Sequence, residues 1–424
     1  MSELLNRRAM LKWAGALPLF GTIAADSMME KARAAVKGGA SGDIYSRIGV
    51  RSFINARGTW TYLSASLELP EVRAAKEEAA KHFVDIFELQ RAAGRRLAEL
   101  SGAESGMVTS GAAGAIASAT AACIVGTDPA KIWQLPDTTG LKNEVIMFGG
   151  RSAFDSAARL AGGKLVVTHT HDELRSAIGP NTAMIYTTRL GDQLEKAIAI
   201  AKDTKVPLLL DDAAGIPPIG NLRLYAKMGA DMFCFSGGKG LCGPQCTGLL
   251  LGRKDLIEAA LANTSPWEGA VCRAMKVGKE EVMGCLAAVE AWQKMDLDAL
   301  NREWNQKVKR VAAIVETVPG VTTNITIPKD GNRYPTLTVT WDEQAWNFTV
   351  ADCDRELRAG TPRIEVLTAS NPSLVPAVRE HHDRKTPRQN KLQIISMTLR
   401  PGEELIVGRR LRTILNTARK NAKA

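Results

Sequence analysis

The sequence predicts an α/β fold, with a mostly parallel sheet in a large domain and a smaller α+β domain at the C-terminal end. Three observations support this prediction. Apolar runs at 144–148, 183–187 and 232–235 have the length and composition of buried strands. Segments with helical periodicity separate these runs, and such alternation is typical of a doubly wound parallel sheet. After about residue 296 a long polar helix leads into a further set of strands and helices.

Length and composition indicate a globular protein with a large core. The chain has 424 residues, of which 45% are hydrophobic and 24% are charged, and this length suits two domains with terminal extensions. The formal net charge is +10, but lysine and arginine are spread along the chain. We therefore expect a small anionic ligand and no nucleic acid as partner. Seven cysteines and five histidines suggest neither a disulfide framework nor a metal site.

We predict four segments: an export signal at 1–34, an N-terminal segment at 35–70, a large domain at 71–295 and a small domain at 296–424. Arg7 and Arg8 precede a weakly apolar stretch at 13–25, a pattern that resembles a twin-arginine export signal. This stretch is too short to span a bilayer as a mature helix. The alternative is an amphipathic arm that packs on a partner subunit. The mature protein is periplasmic if the signal acts, and otherwise cytoplasmic.

The first predicted elements are a short strand and a long helix. Residues 54–61 look like a strand that breaks into a loop, in which Arg57 is the conspicuous charge. Arg57 forms either a surface ion pair or a contact with an anion at the cofactor or at the active site of a partner subunit. Residues 69–100 are helical by period, with Pro70 in the first turn, Phe83 among the apolar positions and Gly102 at the end.

A strand, a glycine turn and the start of a helix follow one another at residues 107–115. Such a junction presents free backbone N–H groups and the positive end of the helix dipole, which together bind phosphate. Ser110, Gly111 and Ala112 lie at this turn. The alternative is that close helix packing selects the small residues.

The clearest chemical signal is a pair of strands within residues 206–240. The apolar run at 206–210 ends in Asp211, a helical stretch follows, and the second run leads to Ser236 and Lys239. Two parallel strands joined by a helix place Asp211 and Lys239 at the same edge of the sheet. A lone lysine in a glycine loop is usually a solvated turn residue. Together, however, these three residues suit pyridoxal phosphate, because the amine binds its aldehyde, the aspartate holds the pyridine nitrogen protonated and the serine donates to its phosphate.

The remainder of the chain contains a basic loop and the smaller domain. Residues 273–280 form either a solvated helix start or a loop that reaches an active site across a dimer interface. The elements predicted for the smaller domain are strands at 323–327, 336–341, 364–367 and 392–397, and helices at 296–318, 349–358 and 403–419.

Six stretches together, at 55–61, 109–115, 211–218, 235–245, 273–280 and 398–404, resemble the selenocysteine-synthase-like branch of fold-type I pyridoxal-phosphate enzymes. Within this branch they are most similar to the D-glucosaminate-6-phosphate ammonia-lyase group, and the similarity covers nearly everything after residue 43. The resemblance implies that Lys239 is the Schiff-base lysine and Asp211 the partner of the pyridine nitrogen. It also implies a phosphate shell made of Ser110, Gly111, Ala112 and Ser236.

The candidate residues for the substrate and for the cofactor ring are less specific. Arg363 and Arg400, together with Arg57, are candidates for the acidic groups of a substrate, because a planar guanidinium grips a carboxylate by two hydrogen bonds. Related enzymes place a flat side chain over the ring near residue 150, where Arg151 or Phe154 is available. Phe154 fits the hydrophobic core equally well.

The resemblance implies a homo-oligomeric lyase that acts on a small molecule. We expect elimination of the hydroxyl group from a 2-amino-3-hydroxy acid such as D-glucosaminate, with Lys239 as the base, to give a 2-keto acid and ammonia. The alternative is a transferase, either similar to seryl-tRNA selenium transferase or an aminotransferase. Export would favour an unphosphorylated substrate, since sugar phosphates are scarce in the periplasm.

Overall fold

The computed structural model describes residues 43–329, 331, 333–368 and 391–422. The chain divides into a unit of residues 1–53 and a unit of residues 54–424. In the described part of the first unit, a short 3-10 helix covers Ser46–Ile48. The predicted export signal at 1–34 lies outside the described residues. The division into a large domain at 71–295 and a small domain at 296–424 stays a prediction.

Strands and helices alternate between residues 53 and 292, as the sequence predicts. The strands are β1 (Phe53–Ala56), β2 (Ser105–Ser110), β3 (Glu144–Phe148), β4 (Lys164–Thr168), β5 (Thr182–Thr187), β6 (Leu208–Asp211), β7 (Met232–Ser236) and β8 (Thr247–Gly252). The helices are α1 (Pro70–Ala79), α2 (Ile86–Ser101), α3 (Gly111–Val125), α4 (Pro129–Gln134), α5 (Asp155–Leu160), α6 (His171–Ala177), α7 (Asp192–Thr204), α8 (Asn221–Met228), α9 (Lys254–Ala262) and α10 (Lys279–Trp292).

Seven strands form the central sheet, in the order β2-β8-β7-β6-β5-β3-β4. All neighbours are parallel except β8, which runs antiparallel to both β2 and β7. The mostly parallel sheet of the predicted α/β fold is therefore confirmed. Because β8 is antiparallel to both of its neighbours, β2 on one side of it runs in the same direction as β7 and β6 on the other side. The carboxyl ends of β2, β6 and β7 therefore lie at one edge.

Both faces of this sheet are buried, which explains why its strands are apolar throughout. In β6, Leu208 and Leu210 belong to one apolar cluster, while Leu209 between them belongs to a second cluster. Leu97 of α2 packs in the first cluster and Ile116 of α3 in the second. Helices thus cover both faces and leave the strand ends free to carry polar side chains.

The C-terminal part has its own sheets and helices. These are α11 (Leu297–Val315), β9 (Thr322–Thr326), β10 (Thr336–Thr340), α12 (Glu343–Trp346), α13 (Val350–Ala359), β11 (Arg363–Val366), β12 (Leu392–Ile395) and α14 (Glu403–Asn421). Strands β12, β10 and β9 form an antiparallel sheet, and β1 pairs with β11. Ile54 and Ala56 of β1 share an apolar cluster with Leu337 of β10 and Leu411 of α14. The predicted α+β character of this part is confirmed.

Two details differ from the sequence prediction. The single helix predicted over 69–100 is two helices, α1 and α2, because Asp85 caps a new helix by accepting from the Glu88 N–H group. Phe83, predicted to be an apolar helix position, lies in the segment between the two helices and is fully exposed to solvent. Strand β8 was not predicted. Among the described residues, no helix combines the length and apolar character that crossing a membrane requires.

Candidate active site

Asp211 lies at the carboxyl edge of the sheet, where β6 ends, and its side chain is buried. Its carboxylate accepts from three donors. The Tyr186 hydroxyl donates to Oδ2 at 2.7 Å, the Ala213 N–H group to Oδ1 at 3.1 Å, and the Cys234 thiol to Oδ1 at 3.7 Å. These contacts fix the plane and position of the carboxylate, as the partner of a ring nitrogen requires.

Tyr186 is a site residue that the sequence did not reveal. It lies one residue before the end of β5, and β5 pairs with β6 in parallel. Burial, and then the charge of Asp211, raise the pKa of Tyr186 well above its ordinary value. The tyrosine therefore stays protonated and acts only as a donor to Asp211.

Lys239 follows β7 by three residues and lies half-buried at the same edge. Its Nζ makes no hydrogen bond or ion pair with any residue that the structure describes. Burial lowers the pKa of Lys239 from its ordinary value, and the charge of Asp211 partly opposes this effect. A free amine at working pH is the form that reacts with an aldehyde or removes a proton.

Phe154 is the aromatic side chain beside this amine. Its ring centroid lies 5.7 Å from Lys239 Nζ, and the residue is 49% exposed. It is therefore not part of the hydrophobic core, which was the alternative prediction for this residue. The other candidate for stacking, Arg151, donates to the buried carboxylate of Asp155 through Nε and, at 3.1 Å, through Nη2. Phe154 is thus the better placed of the two to cover a cofactor ring.

The loop that carries Lys239 is held on both sides by hydrogen bonds. The backbone N–H group and the hydroxyl of Ser66 both donate to the Gly238 carbonyl, at 3.0 and 2.7 Å. The Cys242 N–H group donates to the Lys239 carbonyl at 3.0 Å. Ser64, Ala65 and Cys242 have φ values of 65°, 57° and 55°, which are rare for residues other than glycine and cluster at functional sites.

The predicted phosphate cradle lies at the start of α3, directly after β2. Ser110 is the N-cap residue, yet its side chain makes no capping hydrogen bond, so the first N–H groups of α3 are available to an anion. Ser236 reaches the same place, because it is paired with Gly248, and Gly248 lies against this turn. A Cβ atom on Gly248 would lie 2.4 Å from the Gly111 carbonyl carbon. The hydroxyl groups of Ser110 and Ser236 have no hydrogen-bond partner within the described part of the chain.

The three arginines predicted for substrate binding are all engaged by groups of their own chain. Arg57 is buried, and its Nη1 donates to the Val366 carbonyl at 2.7 Å, so it is not the surface ion pair that was the alternative. Arg363 Nε donates to Glu365 at 2.7 Å. Arg400 Nε donates to Glu403 at 2.7 Å. A role for these arginines in substrate binding stays a prediction.

The basic loop predicted at 273–280 lies next to the phosphate cradle. The sulfur of Met275 lies 3.8 Å from the position that a Cβ atom would take on Gly114, in the first turn of α3. Arg273 and Lys276 of this loop are exposed to solvent. The loop that carries these two cations thus lies against the first turn of α3.

These groups fit pyridoxal phosphate. The amine of Lys239 matches its aldehyde, and the carboxylate of Asp211, which accepts three hydrogen bonds, matches its ring nitrogen. The uncapped start of α3 matches its phosphate. Phe154 offers a flat surface to its ring. The fit rests on the contacts of these side chains and on the hydroxyl groups of Ser110 and Ser236, which no described residue occupies.

Comparisons with known proteins identify relatives over most of the chain. The aminotransferase class-V family matches residues 166–358. A 5'-C-glycyluridine monooxygenase-decarboxylase from Streptomyces sp is 32% identical over 76% of this chain and 83% of its own length. D-glucosaminate-6-phosphate ammonia lyase from Salmonella typhimurium is 30% identical over 75% of this chain and 87% of its own length.

A solved structure of D-glucosaminate-6-phosphate ammonia-lyase agrees with this similarity. It superimposes with a TM-score of 0.74 at 28% identity, and covers 89% of this chain and 100% of the solved chain. The protein is an enzyme, and its cofactor is pyridoxal phosphate. The chain belongs to the selenocysteine-synthase-like branch of the fold-type I pyridoxal-phosphate enzymes, the branch that includes D-glucosaminate-6-phosphate ammonia lyase.

Proposed function

We propose that the enzyme is an ammonia lyase that converts a 2-amino-3-hydroxy acid, such as D-glucosaminate, into a 2-keto acid and ammonia. The observation that carries the proposal is the amine of Lys239, which is free of hydrogen bonds to the described residues, has a lowered pKa and lies at the same sheet edge as Asp211. The similarity to the Salmonella lyase, at 30% identity, supports the same reaction class.

The residues divide the chemistry among them. When bound, pyridoxal phosphate supplies an electron-withdrawing ring that stabilises negative charge on the substrate's α-carbon. Asp211, held by Tyr186, favours a proton on the ring nitrogen. Lys239 removes the proton from the α-carbon, because its amine is neutral in a larger fraction of molecules than an ordinary lysine amine. Phe154 lies beside this amine and offers a flat face to the cofactor ring.

The overall reaction balances without an oxidant. The α-proton and the β-hydroxyl group leave as water, and the released enamine takes up water and loses ammonia. The net change is loss of ammonia from the amino acid and formation of the 2-keto acid. The residues described above supply the base and the charge stabilisation that this reaction needs.

A panel of 2-amino-3-hydroxy acids tests the proposal. It should include D-glucosaminate, its 6-phosphate and simple hydroxy amino acids, each scored for ammonia and for 2-keto acid. We expect equal amounts of the two products from at least one member, and no activity in Lys239→Ala. If no member releases ammonia, the lyase proposal fails and a transferase becomes the leading candidate.

A second candidate is oxidative decarboxylation. The relative from Streptomyces, 32% identical over 76% of the chain, is named a monooxygenase-decarboxylase. The same panel distinguishes the two reactions if oxygen uptake and carbon dioxide release are recorded. Oxygen uptake in step with carbon dioxide release would replace the lyase proposal by this one.

We also propose that the enzyme is a homodimer, or a higher homo-oligomer, with shared active sites. Support comes from the exposed Arg273 in the loop next to the phosphate cradle. Mixing inactive Lys239→Ala with inactive Arg273→Ala protein should restore part of the activity, because one hybrid site would have both residues intact. No recovery, with subunit exchange verified independently, would refute sharing through this loop.

We further propose export through the twin-arginine pathway, on the basis of Arg7 and Arg8. In that case the substrate is an unphosphorylated amino-sugar acid or a hydroxy amino acid. Cell fractionation should find wild-type protein in the periplasm and Arg7→Lys/Arg8→Lys protein in the cytoplasm. Cytoplasmic wild-type protein that prefers the phosphorylated substrate would refute both the export and the substrate proposals.

A further inference from the structure

A group of residues at the same sheet edge has no part in the mechanism above. Gly149 and Gly150 follow β3, His169 follows β4 and Arg189 lies two residues beyond β5. We call these four residues the edge cluster. Strands β4, β3, β5 and β6 are neighbours in this order in the sheet, and all four are parallel. Their carboxyl ends therefore lie at one edge. The edge cluster therefore lies at the same edge of the sheet as Asp211, which ends β6.

The two glycines bring the cationic side chains against one turn of backbone. Gly149 and Gly150 have φ values of 106° and 109°, which side chains rarely allow. A Cβ atom on Gly149 would lie 2.6 Å from Arg189 Nε, and one on Gly150 would lie 3.4 Å from His169 Cε1. Without side chains at these positions, the guanidinium and the imidazole both lie on the glycine turn.

The position of Arg189 is fixed at its backbone. Its N–H group donates to the Thr187 hydroxyl at 3.0 Å, and that hydroxyl donates to the Phe148 carbonyl at 3.1 Å. The turn after β5 is thereby tied to the end of β3. Arg189 is thus presented at the edge by a braced segment.

Among the residues that the structure describes, none provides a counterion for Arg189. Its Nη2 makes one long hydrogen bond, of 3.4 Å, to the Gly149 carbonyl. It forms no ion pair with any described residue, whereas Arg151 nearby is bound by Asp155. The acid that contacts this segment at His169, Glu173, accepts from the backbone N–H group of His169 at 2.7 Å. Arg189 is exposed, so a ligand can reach it.

The edge cluster is within reach of a substrate held at Lys239. The loop that starts at Gly149 ends at Phe154, whose ring centroid is 5.7 Å from Lys239 Nζ. Strand β5 is two strands from β7, a separation of about 10 Å at the usual spacing between strands. A six-carbon acid is long enough to cross most of this distance.

We propose that the edge cluster binds an oxyanion group of the substrate, a carboxylate or a phosphate, with Arg189 as its main contact. A guanidinium offers two parallel N–H donors to such a group, and the imidazole of His169 adds a third donor. The proposal rests on the proposed function for the identity of the substrate.

Binding of simple anions tests the edge cluster without turnover. The holoenzyme is titrated by calorimetry with inorganic phosphate and, separately, with malonate, for wild type, Arg189→Gln and Arg189→Lys. Arg175→Gln is the matched control, because Arg175 is an exposed arginine on α6, paired with Asp203. We expect Arg189→Gln to weaken binding of at least one probe by about tenfold or more, Arg189→Lys to weaken it less, and Arg175→Gln to leave it unchanged. Cofactor absorbance and thermal unfolding verify that each variant is folded and loaded.

The two probes identify the source of the anion. Loss of phosphate binding alone supports a phosphorylated substrate, and loss of malonate binding alone supports a carboxylate. With an active substrate, Arg189→Gln should raise KM much more than it lowers kcat. If Arg189→Gln binds both probes within twofold of wild type, or if Arg175→Gln loses as much, the proposal is wrong. A failure of the whole substrate panel would refute the lyase function, whereas the titrations would still decide the role of Arg189.

Discussion

The Tyr186→Phe substitution tests whether the carboxylate of Asp211 is tuned by its neighbours. It removes one hydroxyl, and with it the 2.7 Å hydrogen bond to Asp211 Oδ2, and leaves the ring in place. A hydrogen bond to a charged group contributes about 1.5–3 kcal/mol. The Ala213 N–H group still donates to the other oxygen, so we expect a loss at the lower end, about 1.5 kcal/mol. This corresponds to about a tenfold lower kcat/KM.

Tyr225→Phe is the matched control for this substitution. The Tyr225 hydroxyl donates to Oδ2 of the adjacent Asp212 at 2.6 Å, and Tyr225 is also buried. Both variants are assayed for ammonia release at saturating cofactor, for the Kd of pyridoxal phosphate and for thermal stability. We expect Tyr225→Phe to change stability and to leave kcat/KM near that of wild type. Unchanged kcat/KM in Tyr186→Phe, or equal losses in both variants, would refute the reasoning.

Three further substitutions probe the cradle, the amine and its loop. Gly248→Ala would place a Cβ atom 2.4 Å from the Gly111 carbonyl carbon and so displace the phosphate cradle. The Kd of pyridoxal phosphate, measured by fluorescence titration, should rise at least tenfold, and an unchanged Kd would contradict the position of the cradle. Burial lowers the pKa of Lys239 from its ordinary value of 10.5, and the negative charge of Asp211 raises it. In the apoprotein, Asp211→Asn should therefore lower the pH at which acetylation of Lys239, followed by mass spectrometry, is half-maximal. An upward shift of this midpoint would refute the assignment of causes. Ser66→Ala removes the 2.7 Å hydrogen bond from the Ser66 hydroxyl to the Gly238 carbonyl. It should lower kcat several-fold with little change in KM, and Ser66→Thr, which keeps a hydroxyl, should recover most of the wild-type kcat. A change in thermal stability alone would show a purely structural role.

The parts of the site that the sequence predicted are those that local patterns determine. Asp211 and Lys239 follow continuous apolar runs, and the parallel strand unit places them at one edge without any knowledge of other contacts. Ser110 is identified in the same way, by the junction of a strand and a helix. The structure confirms the strands and the sheet edge, and it adds the contacts that give these residues their character.

The features that the sequence missed depend on partners that are distant along the chain. Tyr186 became a site residue only because β5 pairs with β6, and Ser66 only because its segment contacts the loop of Lys239, 172 residues away. Phe83 fits an apolar helical pattern, yet Asp85 starts a new helix and leaves Phe83 exposed. Arg57 could not be distinguished from Arg189 by sequence, since the Val366 carbonyl that accepts from Arg57 lies 309 residues further along the chain.

The central claim is that Lys239 carries the cofactor, and chemical reduction tests it most directly. The purified holoenzyme is treated with borohydride, which fixes pyridoxal phosphate on the lysine that holds it, and the labelled peptide is sequenced by mass spectrometry. We expect loss of the visible absorbance together with a single label on Lys239, and neither absorbance nor label in Lys239→Ala. A label on another lysine, or a wild-type protein that never binds pyridoxal phosphate, would contradict the claim.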